Sequence, residues 1–312
     1  MNNNYKNKRV LITGASGFKG KWLTKILVRA GATVYDYRFD ILDARSIVRH
    51  VDSVKPDIAF HLAAVSSPAI ADRDKDYAFA VNFYGTSNVV WACVSAGCPV
   101  VCASSDQVYF NDGRLGEYFE GDMLCGRSVY FHSKACAERA AEAFGRSRAS
   151  IVRSSLCIGG NDFCKERLFP SIAEAVRTGV PLVIKHPNFV RPVLHVLDSL
   201  RGYLMVGARL MEGTPGEAFN LSPNANMVDT VGEIIASVAF LWPEFHFEIA
   251  DAGEKDATVT RLSSEKALRR LGWTPVWGIN ETIRKTVDWY KAQQRCADYT
   301  DSVIASYEAD IF

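Results

Sequence analysis

The chain contains 312 residues, and its 36 Lys and Arg residues balance 35 Asp and Glu residues to a net charge of +1 at pH 7. Such a length accommodates one large domain, or one large and one small domain. The even charge provides no field that would attract nucleic acid or an acidic membrane surface, so neither is expected as a partner. The sequence has no run of about 18 apolar residues, and we therefore expect no membrane span.

Cysteine usage indicates a reducing compartment. The eight cysteines are scattered without a Cys-x-x-Cys pair, at Cys93, Cys98, Cys102, Cys125, Cys136, Cys157, Cys164 and Cys296. This spacing argues against both a zinc site and a disulfide framework. We therefore expect a cytoplasmic protein that binds no metal.

Short apolar runs alternate with helix-length amphipathic stretches through the first half of the chain. The pattern predicts strands at 9–13, 32–36, 57–61, 99–103 and 149–153, and helices at 19–30, 44–54, 77–97 and 133–146. This alternation is typical of a parallel sheet covered by helices on both faces. We predict an α/β fold with a Rossmann-type doubly wound sheet.

After about residue 160 the alternation weakens, and prolines separate shorter elements. We predict a larger domain over 1–160 and a smaller, irregular C-terminal lobe over 161–312, partly threaded back onto the sheet. Ligands of doubly wound folds bind beyond the carboxyl ends of the strands, so the residues that follow each strand are the candidate site.

A glycine-rich turn follows the first predicted strand. Gly14 allows the tight turn, Gly17 allows the backbone to approach a pyrophosphate, and Gly20 allows the helix to pack on the strand. Phe18 and Lys19 lie within this turn, and the helix that follows directs its N-terminus at the anion. The strand–turn–helix context predicts that 1–160 is an NAD(P)-binding domain.

The end of the second strand bears on the choice between NAD and NADP. Asp36 stands where a carboxylate would bind the ribose 2′-hydroxyl of NAD. Arg38 could instead meet the 2′-phosphate of NADP. We favour NAD and leave NADP open, and we place Asp40 and Ile41 near the adenine.

Three residues form a pattern suited to alcohol oxidation by a nicotinamide. Ser105 lies at the end of the fourth strand, and Tyr130 and Lys134 lie one helical turn apart. Tyr130 is the expected proton acceptor, and the charge of Lys134 on the same helix face would lower its pKa. Asn82 falls on the helix that passes beneath the cofactor.

The motifs together resemble one enzyme family. They are GASGFKGKWL at 14–23, PDIAFHLAA at 56–64, SDQVYFN at 105–111, CIGG at 157–160, RPVLHVLDSL at 191–200 and LGWTPVW at 271–277. This set resembles the extended short-chain dehydrogenases/reductases, and within them the nucleotide-sugar 4,6-dehydratases, above all the CDP-glucose 4,6-dehydratases. The resemblance spans almost the whole chain, and its GFKG and RPxxHVL segments are the most specific.

The resemblance implies a nucleotide-diphosphate sugar as substrate, bound by the C-terminal lobe. Tyr130 would take the C4 hydroxyl proton while NAD takes the hydride, and Asp106 would protonate the departing C6 hydroxyl. The implied cofactor contacts include Leu62, Ala63 and Ala64, and the implied substrate contacts are Ser104, Ser105, Arg167 and Arg191. The helices at 77–97 and 133–146 resemble the pair that joins homodimers in this family.

Three departures from the family pattern bear on the reaction. The residue that acts with C5 as base is typically Glu or Lys, but here it is Gln107, and an amide has no useful basicity. Asp106 or a water would then replace it, or no elimination occurs. The segment before Asp40 is shorter than is usual in dehydratases, and Leu156 replaces an Asn that touches the sugar diphosphate.

Two alternatives to a 4,6-dehydratase therefore remain. One is a nucleotide-sugar 4-epimerase, 4-reductase or 4-dehydrogenase, which would use Ser105, Tyr130 and Lys134 without elimination. The other is a non-catalytic regulator that senses the dinucleotide. An intact proton-transfer set argues against the second, because a sensor has no need of it.

Overall fold

The computed structural model describes residues 3–114, 116–125, 128–223, 229–250, 261–294 and 299–311, so Cys296 lies outside the described residues. The strands are β1 Arg9–Thr13, β2 Thr33–Tyr37, β3 Ile58–His61, β4 Val100–Ser105, β5 Ala149–Ser154, β6 Leu156–Ile158, β7 Leu182–Ile184, β8 Val190–Arg191, β9 Val193–His195, β10 Ala218–Leu221, β11 Asp229–Thr230 and β12 Phe247–Ile249. The α-helices are α1 Phe18–Arg29, α2 Ala44–Val54, α3 Pro68–Arg73, α4 Lys75–Phe79, α5 Thr86–Ser95, α6 Val129–Gly145, α7 Leu168–Thr178, α8 Val196–Met211, α9 Val231–Leu241, α10 Glu265–Leu271, α11 Ile279–Gln294 and α12 Thr300–Asp310.

Six parallel strands form the central sheet in the order β10-β5-β4-β3-β1-β2. The chain moves outward from β1 in both directions, which places a topological switch point between β1 and β3. Ligands of doubly wound sheets bind at this crevice, beyond the carboxyl ends of the strands. The Gly14 turn follows β1, and the Ala63 segment follows β3, so both lie at the switch point. The predicted α/β fold class is confirmed.

Helix boundaries in the first half follow local chemistry. Asp43 caps α2 by accepting from the Ser46 amide, and Lys55 ends it in the left-handed conformation just before Pro56. These signals are local in sequence, and the helix has the predicted bounds. In α1, Trp22, Leu23, Ile26 and Leu27 recur at helical spacing and pack into the core.

Two predicted helices differ from the structure. The helix expected at 77–97 begins at Lys75 and contains a π-helical segment, Ala80–Gly85, between α4 and α5. The helix expected at 133–146 begins four residues earlier because Ser128 caps it, accepting from the Phe131 amide. The earlier start places Tyr130 inside the first turn of α6.

The second half of the chain contributes one strand to the central sheet. β10 pairs in parallel with β5, from Ala218 opposite Ile151 to Leu221 opposite Ser154. Three two-stranded sheets, β6–β9, β7–β12 and β8–β11, lie outside it. Asp198 of α8 is fully buried, and its carboxylate accepts hydrogen bonds from the Tyr307 hydroxyl and the Val276 amide. It therefore joins α8 to the C-terminal segments of the chain. The predicted boundary between two domains at residue 160 stays a prediction.

In the part of the chain that the structure describes, no helix is long and apolar enough to cross a membrane.

Candidate active site

The glycine turn leaves no room for side chains at two of its positions. Gly14 has φ +77°, and a Cβ there would lie 2.7 Å from the Ala63 amide nitrogen. At Gly20 a Cβ would lie 2.1 Å from the Gly14 carbonyl oxygen. Gly17, by contrast, has only that oxygen nearby, at 3.3 Å, and stands at the N-terminus of α1. The turn therefore has the shape that a pyrophosphate requires at a helix N-terminus.

A cavity of about 1360 Å³ opens beside this turn, and Gly14, Asp36, Ile41 and Ala63 are among its lining residues. Its size and its position at the switch point suit a dinucleotide. Arg38 donates to Asp36 at 2.9 Å, and its side chain is 82% exposed against 27% for Asp36. The carboxylate is thus the inner of the two groups, as NAD requires.

The other predicted cofactor residues lie in the segments that follow β1, β2 and β3. Asp40 accepts from the Leu42 amide and so fixes the turn that carries Ile41, whose side chain lies against Gly85 of the π-helical segment. Leu62 and Phe18 pack against the main core. Ala64 lies in the same segment as Ala63, between β3 and α3.

Asn82 lies in the π-helical segment and is fully buried. Its side chain pairs with both backbone groups of Val65, at 2.9 and 3.1 Å, and donates to the Ser133 hydroxyl at 2.8 Å. Ser133 in turn donates to the Tyr130 carbonyl. This chain of hydrogen bonds joins the segment after β3 to the first turn of α6. Such π-helical segments often mark functional sites.

Tyr130 is buried, and burial raises the pKa of its hydroxyl to about 12. The charges that oppose this rise come from Arg167 and Lys19, while Asp106 adds to it. The expected lowering of the Tyr130 pKa by the charge of Lys134 stays a prediction, because burial is the largest influence on this pKa and Arg167 and Lys19 are the cations that oppose it. Lys134 instead donates to the Ala103 carbonyl at 2.6 Å, and burial lowers its own pKa.

Lys19, a predicted cofactor contact, also contacts a distant helix. Its ammonium lies against α8, 3.3 Å from the Ser199 hydroxyl and 3.4 Å from that of Tyr203. Burial alone would lower the pKa of Lys19, yet its interactions with Cys157 and Tyr203 raise it overall. Lys19 is thus a charged neighbour of Tyr130. Only the packing of α1 on α8 reveals it.

The carboxyl group of Asp106 lies directly beyond β4. Its Oδ1 accepts from the Ser105 hydroxyl at 3.0 Å, and its Oδ2 accepts from Gln107 Nε2 at 3.2 Å. Burial raises the pKa of Asp106, while the two hydrogen bonds and the charge of Arg191 oppose the rise. A carboxylic acid with a raised pKa is suited to donating a proton near neutral pH.

Ser104 and Ser105 are neighbours on β4 but have different partners. The Ser105 hydroxyl donates to the Asp106 carboxylate and accepts from the backbone amide of Gln107. Ser104 donates to Glu138, whose carboxylate is held by Arg153 through bonds of 2.6 to 3.1 Å. The hydroxyl of Ser104 therefore donates to a buried ion pair, and its predicted contact with substrate stays a prediction.

The two predicted substrate arginines differ in how firmly they are held. Arg167 donates to Asp162 at 3.1 Å and to Ser66 Oγ at 3.0 Å, so it joins the start of α7 to the segment after β3. Arg191 lies on β8 and acts electrostatically on Asp106. Both cations therefore border the region between Tyr130 and Asp106.

No group of three His, Cys, Asp or Glu side chains within the described ranges is arranged to hold a metal ion.

Comparison with known proteins identifies the family. Residues 10–222 match the NAD dependent epimerase/dehydratase family, and the chain belongs to it. CDP-glucose 4,6-dehydratase of Salmonella typhimurium is 31% identical over 338 aligned residues, which cover 95% of this chain and 94% of that protein. A probable dTDP-glucose 4,6-dehydratase of Sinorhizobium fredii is 27% identical, covering 90% and 92%. The predicted resemblance and the prediction of an enzyme are confirmed.

Solved structures agree on the fold. UDP-glucose 4-epimerase of Thermotoga maritima, solved with UDP-glucose, has a TM-score of 0.83 at 21% identity, covering 92% of this chain and 99% of that one. dTDP-glucose 4,6-dehydratase of Streptomyces venezuelae, solved with NAD and TYD bound, has a TM-score of 0.79 at 23% identity, covering 94% and 99%. Epimerases and dehydratases thus share this architecture, so the fold alone does not choose between them.

Proposed function

We propose that the protein is an NAD-dependent nucleotide-sugar 4,6-dehydratase. The observation that carries this proposal is the buried carboxyl group of Asp106 with its raised pKa, held beyond β4 and in electrostatic contact with Tyr130. An acid beside the oxidation site is what elimination of a C6 hydroxyl needs, whereas simple oxidation at C4 needs none. The similarity to CDP-glucose 4,6-dehydratase over 95% of the chain supports the same conclusion.

The residues around the cavity fit NAD. Gly14, Gly17 and Gly20 form the cradle for its pyrophosphate, and Asp36 would hold the ribose. When bound, NAD would supply the acceptor for the C4 hydride and return that hydride to C6. A 2′-phosphate would meet the Asp36 carboxylate, so NADP fits this site less well.

Tyr130 takes the proton from the C4 hydroxyl in this proposal. Its own proton must first be lost, and burial opposes that loss by raising its pKa to about 12. The positive charges of Lys19 and Arg167 stabilise the phenolate and partly offset burial. Asn82 and Ser133 fix the backbone turn on which Tyr130 stands.

Arg167 and Arg191 are the proposed contacts to the diphosphate of the substrate. A guanidinium provides paired donors in a plane, which match phosphate oxygens. Arg167 already donates to Asp162 and Ser66, which would hold its side chain in place before substrate arrives.

Gln107 supports the alternative of a 4-epimerase, 4-reductase or 4-dehydrogenase, because its amide donates to Asp106 and has no useful basicity. The test is to incubate the holoenzyme with CDP-, dTDP- and UDP-glucose and analyse the products by mass spectrometry. A dehydratase gives a 4-keto-6-deoxy sugar that is lighter by one water, without net NADH. NADH in amounts equal to the product, without loss of water, would contradict the proposal and favour a 4-dehydrogenase.

We also propose a homodimer formed through α4, α5 and α6. Tyr77, Tyr84 and Trp91 recur every seven residues along α4, the π-helical segment and α5, and their side chains are 51%, 61% and 50% exposed. Phe144 of α6 adds another exposed ring. Large apolar side chains in a row on one face are typical of a protein interface.

The replacement Trp91→Lys is expected to shift the protein from dimer to monomer, because a charge would be buried within that face. Sedimentation velocity measures the change. Phe240→Lys is the matched control, since Phe240 is 86% exposed on α9, away from these helices, and should leave the mass unchanged. A wild-type protein that sediments as a monomer at all concentrations would exclude the dimer.

A further inference from the structure

We propose that Asp106 alone performs both proton transfers of the elimination, taking the proton from C5 and delivering one to the departing C6 hydroxyl. This inference rests on the proposed dehydratase function. It follows from two observations: Gln107 cannot accept a proton, and the other polar groups that border Tyr130 are committed elsewhere.

The lone pairs of Asp106 leave room for both transfers. An ionised carboxylate has about four acceptor positions. One on Oδ1 is used by the Ser105 hydroxyl and one on Oδ2 by Gln107 Nε2. The backbone amide of Asp106 is a further donor to the carboxylate. At least one acceptor position therefore remains for the proton that passes from C5 to the C6 hydroxyl, and the bonds hold the group in a fixed orientation. Gln107 is thus a donor that positions the carboxylate.

Two other carboxylates, those of Glu138 and Asp162, lie at the edge of the region between Tyr130 and Asp106, and each is neutralised by an arginine. Glu138 is held by Arg153, both side chains being 2% exposed. Asp162 is held by Arg167 at 3.1 Å. Protonating either carboxylate would leave a guanidinium without its charged partner, which opposes the transfer. Asp106, by contrast, has neutral hydrogen-bond partners and no cation in direct contact among the described residues.

The amines and the thiol near the site are also unsuited to removing a proton from carbon. Lys19 has a raised pKa and keeps its proton at neutral pH. Lys134 is directed at the Ala103 carbonyl, to which it donates at 2.6 Å. The Cys157 thiol donates to the Ser155 carbonyl. Among these groups of the described residues, Asp106 is therefore the base that remains.

The proposed step balances without a further reactant. The C5–H bond breaks, its proton goes to a carboxylate oxygen of Asp106, and the electron pair enters the enolate of the C4 ketone. The C6–O bond then breaks as the carboxylic acid returns a proton to the hydroxyl, which leaves as water. The enolate electrons form the C5–C6 double bond, and Asp106 is again a carboxylate. Both transfers occur on one face of the sugar, so the elimination is syn.

The test measures exchange at C5 separately from loss of water. Holoenzyme is incubated in D₂O with CDP-, dTDP- and UDP-glucose, and the recovered sugar and the product are analysed by NMR and mass spectrometry. Asp106→Asn is expected to lose both the water elimination and the deuterium at C5, each at least about 100-fold. Gln107→Leu should slow C5 deuteration without abolishing it, since it removes a positioning contact and no base.

A double variant keeps the test informative. Asp106→Asn with Gln107→Glu places a carboxylate one residue away, so recovered sugar should regain deuterium at C5 while water elimination stays absent. Persistence of C5 deuteration in Asp106→Asn alone would overturn the inference, because another base must then exist. If wild-type enzyme removes no water from any of the three sugars, the proposed function fails, and the inference fails with it.

Discussion

Replacing Tyr130 by Phe is expected to lower turnover by about 100- to 10,000-fold, whichever reaction of the family the protein performs. The variant keeps the buried ring but has no hydroxyl to take the C4 proton, and the charges of Lys19 and Arg167 then have no phenolate to stabilise. The rate of product formation from the preferred nucleotide sugar, followed by mass spectrometry, measures the effect.

The control for this variant is the amount of bound nucleotide and the circular dichroism spectrum, both of which should match wild type. Phe131→Tyr, added to Tyr130→Phe, is a useful second variant. It adds a hydroxyl at the neighbouring residue of α6 and does not replace the hydroxyl that is lost at residue 130. Unchanged turnover in Tyr130→Phe would mean that another group takes the C4 proton and that the site is misassigned.

Replacing Glu138 by Ala is expected to lower the free energy of unfolding by about 3–5 kcal/mol. Arg153 is 1% exposed, and the change would leave its charge buried without the carboxylate that now accepts three of its hydrogen bonds. Ser104 would lose its acceptor as well. Unfolding in guanidinium chloride, followed by tryptophan fluorescence, measures the change.

Glu142→Ala is the matched control, because Glu142 lies one turn further along α6 and pairs with Arg139 at the surface. Its side chain is 44% exposed, so its loss should cost no more than about 1 kcal/mol. Equal destabilisation by the two replacements would show that the buried ion pair of Glu138 contributes no more to stability than the exposed pair of Glu142.

Much of the candidate site can be predicted from the sequence because its parts are local motifs. The glycine turn requires Gly14 for a left-handed backbone and Gly20 for close packing. Both requirements are met by glycine at a fixed spacing, which the sequence shows directly. Tyr130 and Lys134 share a helix face by their spacing alone. Asp36 follows from the length of the unit between β1 and the end of β2.

Other features of the site could not be inferred in this way, because they arise from contacts between distant segments. Lys19 acquires its role from Ser199 and Tyr203, about 180 residues later in the chain. The partner of Ser104 is Glu138, and nothing in the strand-end motif distinguishes this serine from Ser105. The π-helical segment that presents Asn82 has no signature in the hydrophobic pattern.

The sequence by itself thus determined the fold class, and it indicated the cofactor turn and the proposed residues of the oxidation chemistry, since each depends on periodicity or short spacing. It also showed that Gln107 cannot act as a base. Only the tertiary structure showed that Glu138 and Asp162 pair with arginines while Asp106 accepts from the neutral side chains of Ser105 and Gln107. The reason is physical: proton affinity depends on burial and on neighbouring charges, and Arg153, Arg167 and Arg191 are brought to their positions by the packing of the whole chain.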